Sequence, residues 1–196
     1  MSNSNLLVIA ALVALINTAW AQPETNVEVT KALGTASIKG TTRMTATVQD
    51  IDTATRTVLL KGTNGNIVEV EVGDEARNFD QLKVGDVVKV VYRESLTLSL
   101  KKNSGAMASA EERPTMERAP AGGKPGGTLG REVKIVADVI AVNPKSRTVE
   151  LKGPKGNVVD LRVEDPAQLA NIKKGDQVEV VYTEALAVSV EPVATK

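Results

Sequence analysis

The feature that most constrains this chain is that it carries nearly the same text twice. RTVLLKGTNGNIVEVEV (56–72) recurs as RTVELKGPKGNVVDLRV (147–163), and LKVGDVVKVVYRESL (82–96) recurs as IKKGDQVEVVYTEAL (172–186). The first pair is offset by 91 positions and the second by 90, so one residue is lost between the two blocks. Self-similarity at a fixed spacing marks repeated structural units. Each copy, 43–102 and 131–193, is near the lower size at which a domain buries enough surface to fold unaided.

Within a copy the apolar pattern has a period of two. Met44, Ala46 and Val48 alternate, then Ile51 resumes one residue out of phase, which predicts a bulge near Asp50. Copy two repeats this with Ile135, Ala137, Val139 and Val142. Two further strands, 56–62 and 68–72, flank Asn64-Gly65, a hairpin signal of the primed-turn kind; Lys155-Gly156 stands there in copy two. Asp165-Pro166 is a helix N-cap followed by proline at the first helical position, and Gly175 is a stop. Leu169 and Ile172 share one face of that helix, as Phe79 and Leu82 do in copy one.

The last strand pair is read from GDVVKVVYRESLTLSL, in which Glu94 interrupts an apolar phase of Val88, Val90, Tyr92, Leu96, Leu98 and Leu100. Glu184 interrupts copy two at the same place. The element order predicts an all-β chain of two tandem, five-stranded antiparallel OB-like barrels, each with a short helix between strands three and four. An SH3-like barrel is the alternative. Segment 103–130, ending APAGGKPGGTLG, is poor in large apolar residues and reads as a flexible linker. Residues 22–42 read as a disordered extension, with Val27, Val29 and Leu33 available to dock.

The N-terminus sets the expected compartment. Leu6 to Trp20 is an apolar run ending in Ala19-Trp20-Ala21, the form of a signal peptide (1–21) cleaved after Ala21. The run is short for a membrane span and Asn17 interrupts it, although no Lys or Arg precedes it; an uncleaved anchor is the alternative. A periplasmic location is therefore expected, with no stable membrane insertion after cleavage. No Cys is present, so neither a disulfide nor an acyl-lipid anchor on cysteine supports or tethers the fold. Charge is balanced at 24 basic and 24 acidic residues, and aromatics beyond residue 21 number three: Phe79, Tyr92 and Tyr182. Neither a basic groove nor a stacking platform for nucleic acid is encoded.

Two stretches of copy two, IVADVIAVNPKSRTVELKG and VEDPAQLANIKKGDQVEV, resemble the periplasmic copper/silver efflux chaperones of the CusF type. The resemblance covers most of each copy and implies a five-stranded OB fold and a periplasmic location. In that family a His, a Trp and two Met on strand two, the next loop and strand three hold the metal. Here the connection is KGTNGN or KGPKGN, which has none of those residue types. Met107 and Met116 fall in the linker, and Met44 sits in an apolar phase where copy two has Ile135, so no metal ligand is carried over. The whole chain is also similar to exported bacterial proteins built from this paired module.

Without His or Cys, catalysis would fall on carboxylates, Lys, Ser/Thr or Tyr, and no nucleophile or phosphate-loop motif stands in a suitable context. No enzymatic activity and no cofactor are expected. Asp50, Asp52, Asp160, Glu164 and Asp165 read as solvated strand-end charges rather than an EF-hand loop. The residues that stand out are Arg56 and Arg147, in phase with core positions of the second strand, and Glu94 and Glu184 in the fourth. Three readings remain: ion pairs Arg56–Glu94 and Arg147–Glu184 at the rim of each barrel, a bend where the strand leaves the core, or a ligand-binding carboxylate. Tyr92 and Tyr182 are either core packing or a recognition pair. The functional expectation is an exported, non-enzymatic binding or adaptor protein for an envelope protein or cell-envelope component. The alternatives are a periplasmic copper- or silver-handling protein and a structural envelope protein.

Overall fold

In the computed structural model, residues 24–74, 76–102 and 104–192 are described. The expected signal peptide lies outside them. Ten strands form, in chain order β1 (Glu24–Ala32), β2 (Thr35–Asp52), β3 (Thr57–Gly62), β4 (Ile67–Glu71), β5 (Val87–Lys101), β6 (Ser109–Arg118), β7 (Gly126–Asn143), β8 (Thr148–Lys152), β9 (Val158–Arg162) and β10 (Gln177–Glu191). Among the described residues a 3-10 turn, Phe79–Gln81, precedes β5, and helix α1, Pro166–Asn171, precedes β10. The chain is thus all-β, with antiparallel pairing along the path β4-β3-β2-β5-β10-β7-β8-β9. β1 joins the first half of β2, and β6 the first half of β7. The path ends at β4 and β9, which leaves the sheet open. No described helix is long and apolar enough to cross a membrane.

Several sequence expectations meet their local chemistry. The bulge is present, with a register shift between Val48 and Asp50 and again between Val139 and Ala141. It returns Ile51 to the face that Val48 left. Asp165 caps α1 by accepting from the Ala167 N–H at 2.8 Å, with Pro166 opening the helix. The β3–β4 hairpin differs from the expected turn. Lys61 pairs with Ile67, the Gly62 N–H donates to the Asn66 carbonyl at 2.8 Å, and the chain turns through three residues ending at Gly65 (φ 87). A primed turn on Asn64-Gly65 needs positive φ at its first central residue, and Asn64 does not supply it.

The largest departure is at Glu94. The ladder is unbroken there: β5 is paired with β10 from Val87 to Lys101 on one edge and with β2 from Val87 to Ser99 on the other. What the sequence suggested as two strands is one, because both edges are paired along most of its length. The register is symmetric under the repeat: Val87 meets Glu191, and their equivalents Gln177 and Lys101 meet in turn. A pseudo-two-fold axis therefore passes between Glu94 and Glu184, which are direct partners.

This continuity exchanges packing between the copies. Val48, Val58, Leu60, Phe79 and Val88 form one buried core, and Val188 and Val190 of β10 pack against it. Val139, Val149, Leu151, Leu169 and Val178 form the other, covered by Leu98 and Leu100 of β5. Burying a Val or Leu side chain contributes about 1.5–3 kcal/mol, so each copy relies on the other for part of its core.

The two segments expected to lack structure are strands. Residues 24–42, read as disordered, form β1 and the start of β2, turning at Leu33-Gly34 with Gly34 at φ 76. Residues 103–130, read as a flexible linker, contain β6 and the start of β7. Side chains do not drive this, since every residue of β6 is exposed. Its backbone ladder to β7 does, and Pro114 is tolerated because β6 is an edge strand.

Candidate functional site

The axis is where the sheet becomes chemically unusual. Strand alternation puts Tyr92, Glu94 and Leu96 of β5 on the face that carries the cores, with Tyr182, Glu184 and Leu186 of β10 beside them. Among the described residues no layer covers this face between the two cores. Val27, Val29, Ile38, Met116, Leu129 and Leu186 all lie on it and are exposed, from 38% to 60%. They make a saddle of apolar surface around a polar centre. The opposite face is polar, with Ser95 bonded to Thr183 at 2.7 Å and Glu179 bridging Lys101 and Lys134.

At the centre, the Tyr182 hydroxyl donates to Glu184 Oε2 at 2.9 Å. The Tyr92 hydroxyl lies 3.5 Å from both Glu94 Oε2 and Glu184 Oε2. Burial first, then the charge of Glu94, holds the Tyr92 hydroxyl above the ordinary tyrosine range. Burial and the hydrogen bond to Glu184 do the same to Tyr182. Both tyrosines are therefore neutral hydrogen-bond donors around neutral pH, not bases.

The symmetry is broken in one respect. Arg131 faces Glu184 from β7 and donates through Nε to Oε1 at 2.5 Å, while its Nη1 lies 3.6 Å from Glu112. The residue that faces Glu94 from β2 is Gly40. A Cβ at Gly40 would stand 3.1 Å from Glu94 Cγ, so the Glu94 side chain lies over the glycine. One of two matched carboxylates has a guanidinium; among the described residues the other has only a tyrosine within hydrogen-bond distance.

The expected ion pairs do not form. Arg56 Nε donates to the Val72 carbonyl at 2.9 Å, and Nη2 to the carbonyls of Gly73 at 2.9 Å and Ala76 at 3.1 Å. Its guanidinium stacks 4.6 Å from the Phe79 ring centre, and Asp74 lies 3.5 Å away. Arg147 lines a cleft against α1. The phase argument misplaced both arginines because each closes a turn in the left-handed region, at φ 54 and φ 56, rather than continuing a strand. Tyr92, Glu94, Tyr182 and Glu184 are brought together; Arg56 and Arg147 stand apart from them.

Arg131 was not legible in the sequence, since its repeat equivalent is a glycine. The buried acids Asp86 and Asp176, each 2% exposed, were also passed over, although the matched Gly-Asp in both copies signalled them. Each accepts the backbone N–H three residues before it at 2.8 Å. Among the described residues no group of three or more His, Cys, Asp or Glu side chains is placed to hold a metal ion. No family model, curated protein or solved structure matches the chain.

Proposed function

We propose that the chain is an exported, non-enzymatic binding or adaptor protein whose ligand, a protein or other envelope component, seats on the saddle. The observation that carries this reading is the uncovered apolar surface around Tyr92, Tyr182 and Glu94, on a face whose two ends are both buried cores. Contiguous exposed apolar surface with a few converging polar groups favours recognition. The tyrosines add contact area, hydroxyl donors and little conformational entropy. The periplasmic assignment rests on the leader-like residues 1–21.

We also infer an OB-like module around each core, with its last strand supplied by the other copy. The order β4-β3-β2-β5 followed by the end of β10 supports this, as does the packing of Val188 and Val190 on the first core.

Affinity capture from envelope extract tests the binding reading, with wild type run beside a Tyr92→Ala/Tyr182→Ala variant and a Leu186→Glu variant. A partner retained by wild type and lost from both supports it. Identical capture by all three overturns the saddle as the site. Titration of Cu(I) or Ag(I) separates the metal-handling alternative, which requires saturable binding at micromolar metal. A chain that retains no partner and no metal is left with the structural role.

A further inference from the structure

Arg56 and Arg147 are equivalent residues in an uncommon backbone conformation, φ 54 and φ 56, but the structure uses them differently. In copy one the protein engages the guanidinium with three carbonyls, the Phe79 ring and Asp74. In copy two the sequence beneath the arginine has changed. The segment from Val163 to Leu169 is one residue shorter than its equivalent from Val72 to Phe79. Pro166 stands where Ala76 offers its carbonyl, and it opens α1, which turns that one carbonyl along the helix axis. Leu169 stands where Phe79 offers its ring, and both are 7% exposed.

The consequence is a cleft of about 370 Å³ lined by Arg147, Val142, Pro144, Leu169 and Ile172. Among the described residues Arg147 makes no side-chain hydrogen bond or ion pair. In copy one the corresponding ring and carbonyls belong to the protein itself.

We propose that this cleft binds a small amphiphilic monoanion, a carboxylate on a short apolar tail, with the carboxylate on Arg147 and the tail against Leu169, Ile172 and Val142. A guanidinium matches a carboxylate through two parallel N–H donors, which a neutral ligand cannot reproduce. The volume lies at the small end of ligand pockets, which begin at about 300 Å³, and suits a medium-length tail. The site is separate from the saddle and occurs once per chain.

Calorimetric titration of the full chain with octanoate, and with 1-octanol as the uncharged comparison, tests this. One octanoate is expected per chain, bound about tenfold or more tightly than octanol, the difference a charge-assisted hydrogen bond makes. Arg147→Gln is expected to weaken octanoate about tenfold, and Leu169→Phe, which restores the copy-one ring, to weaken it comparably. Arg56→Gln and Tyr92→Ala/Tyr182→Ala are expected to leave it unchanged, which keeps this result distinct from the saddle. The proposal is overturned by absence of saturable octanoate binding, by equal affinity for octanol, or by retention of binding in Leu169→Phe. The wild-type comparison of octanoate with octanol decides the matter even where a variant does not fold, and Arg147, being exposed, is the safer of the two substitutions.

Discussion

Asn78 and Gln168 occupy the same position in the two copies, and each uses both ends of its primary amide to hold a hairpin tip that leads into the other copy. Gln168 donates to the Ala32 carbonyl at 2.5 Å and accepts from the Gly34 N–H at 2.7 Å. Asn78 donates to the Pro120 carbonyl at 2.7 Å and accepts from the Gly122 N–H at 3.3 Å. The hairpin β1–β2 is thereby clamped to copy two, and the β6–β7 connection to copy one. An amide that serves as donor and acceptor at once cannot be replaced by a hydrophobic residue without handing two backbone groups back to water and releasing the hairpin tip. Gln168→Ala is expected to cost about 1–2 kcal/mol in urea denaturation and to speed hydrogen exchange at Gly34 while sparing Gly122. Equal protection of Gly34 in both proteins would sink the clamp.

The buried acids make a second matched feature from unmatched parts. Lys124 Nζ contacts Asp86 at 2.6 Å and the Gln81 carbonyl at 2.8 Å. In copy two Lys102 contacts Asp176 at 2.8 Å and also the Asn171 carbonyl, the equivalent of that of Gln81. The repeat equivalent of Lys102 is Pro192, which has no ammonium, so copy one takes its lysine from the β6–β7 connection. The Asp86 side chain is 3% exposed and that of Lys124 23%, so the acid loses more on separation than the lysine, which can return to water. A double-mutant cycle of Asp86→Asn with Lys124→Met is expected to give a coupling of about 1–3 kcal/mol. A coupling indistinguishable from zero would show that the contact contributes nothing to folding.

What the sequence disclosed and what it withheld divide along a physical line. The repeat, the bulge near Asp50, the Asp165 cap and the apolar phase of β5 are local properties, written in residues close together in the chain. The continuity of β5 through Glu94 is not local. A carboxylate in a core phase reads as a bend when one copy is considered alone, and as a mid-strand residue once β10 lies beside it. The same holds for β6, whose exposed side chains carry no burial signal and whose order comes from backbone pairing with β7. At the site, Tyr92, Glu94, Tyr182 and Glu184 stood out because they recur. Arg131 and Gly40 did not, because they differ at equivalent positions.

The tyrosines offer a direct optical test, since the chain has only two and both lie at the axis. Their hydroxyls are raised, Tyr92 by burial and then by Glu94, Tyr182 by burial and then by its bond to Glu184. An acid whose folded pKa is raised holds its proton more tightly when folded. Its contribution to stability is complete below the unfolded value of about 10 and is lost as pH rises through the folded value. Absorbance titration near 295 nm is expected to show both tyrosines ionising above about 10, with denaturation midpoints falling in the same alkaline range. Glu184→Gln is expected to move Tyr182 downward. A tyrosine midpoint at or below that of free tyrosine would remove the described hydrogen-bonded cluster.

The exchange of core residues across the axis predicts how half of the chain behaves. Segment 24–102 contains β1 to β5 but lacks Val188 and Val190, which cover its core, and it carries Leu98 and Leu100 with no second core to enter. A second copy of the same segment supplies what is missing, because the β5–β10 register is symmetric under the repeat and β5 can take the place of β10. The isolated segment is therefore expected to form an isologous dimer with Glu94 facing Glu94 across the axis. That dimer has no counterpart of Arg131, so two carboxylates meet with no guanidinium beside either of them. Like charges directly opposite in a sheet are destabilising, and Glu94→Gln is expected to tighten the dimer. Sedimentation equilibrium of both proteins at neutral pH reads the outcome. A folded monomer at micromolar concentration would mean that 24–102 closes its own core without help, and that β5 does not need a partner across the axis.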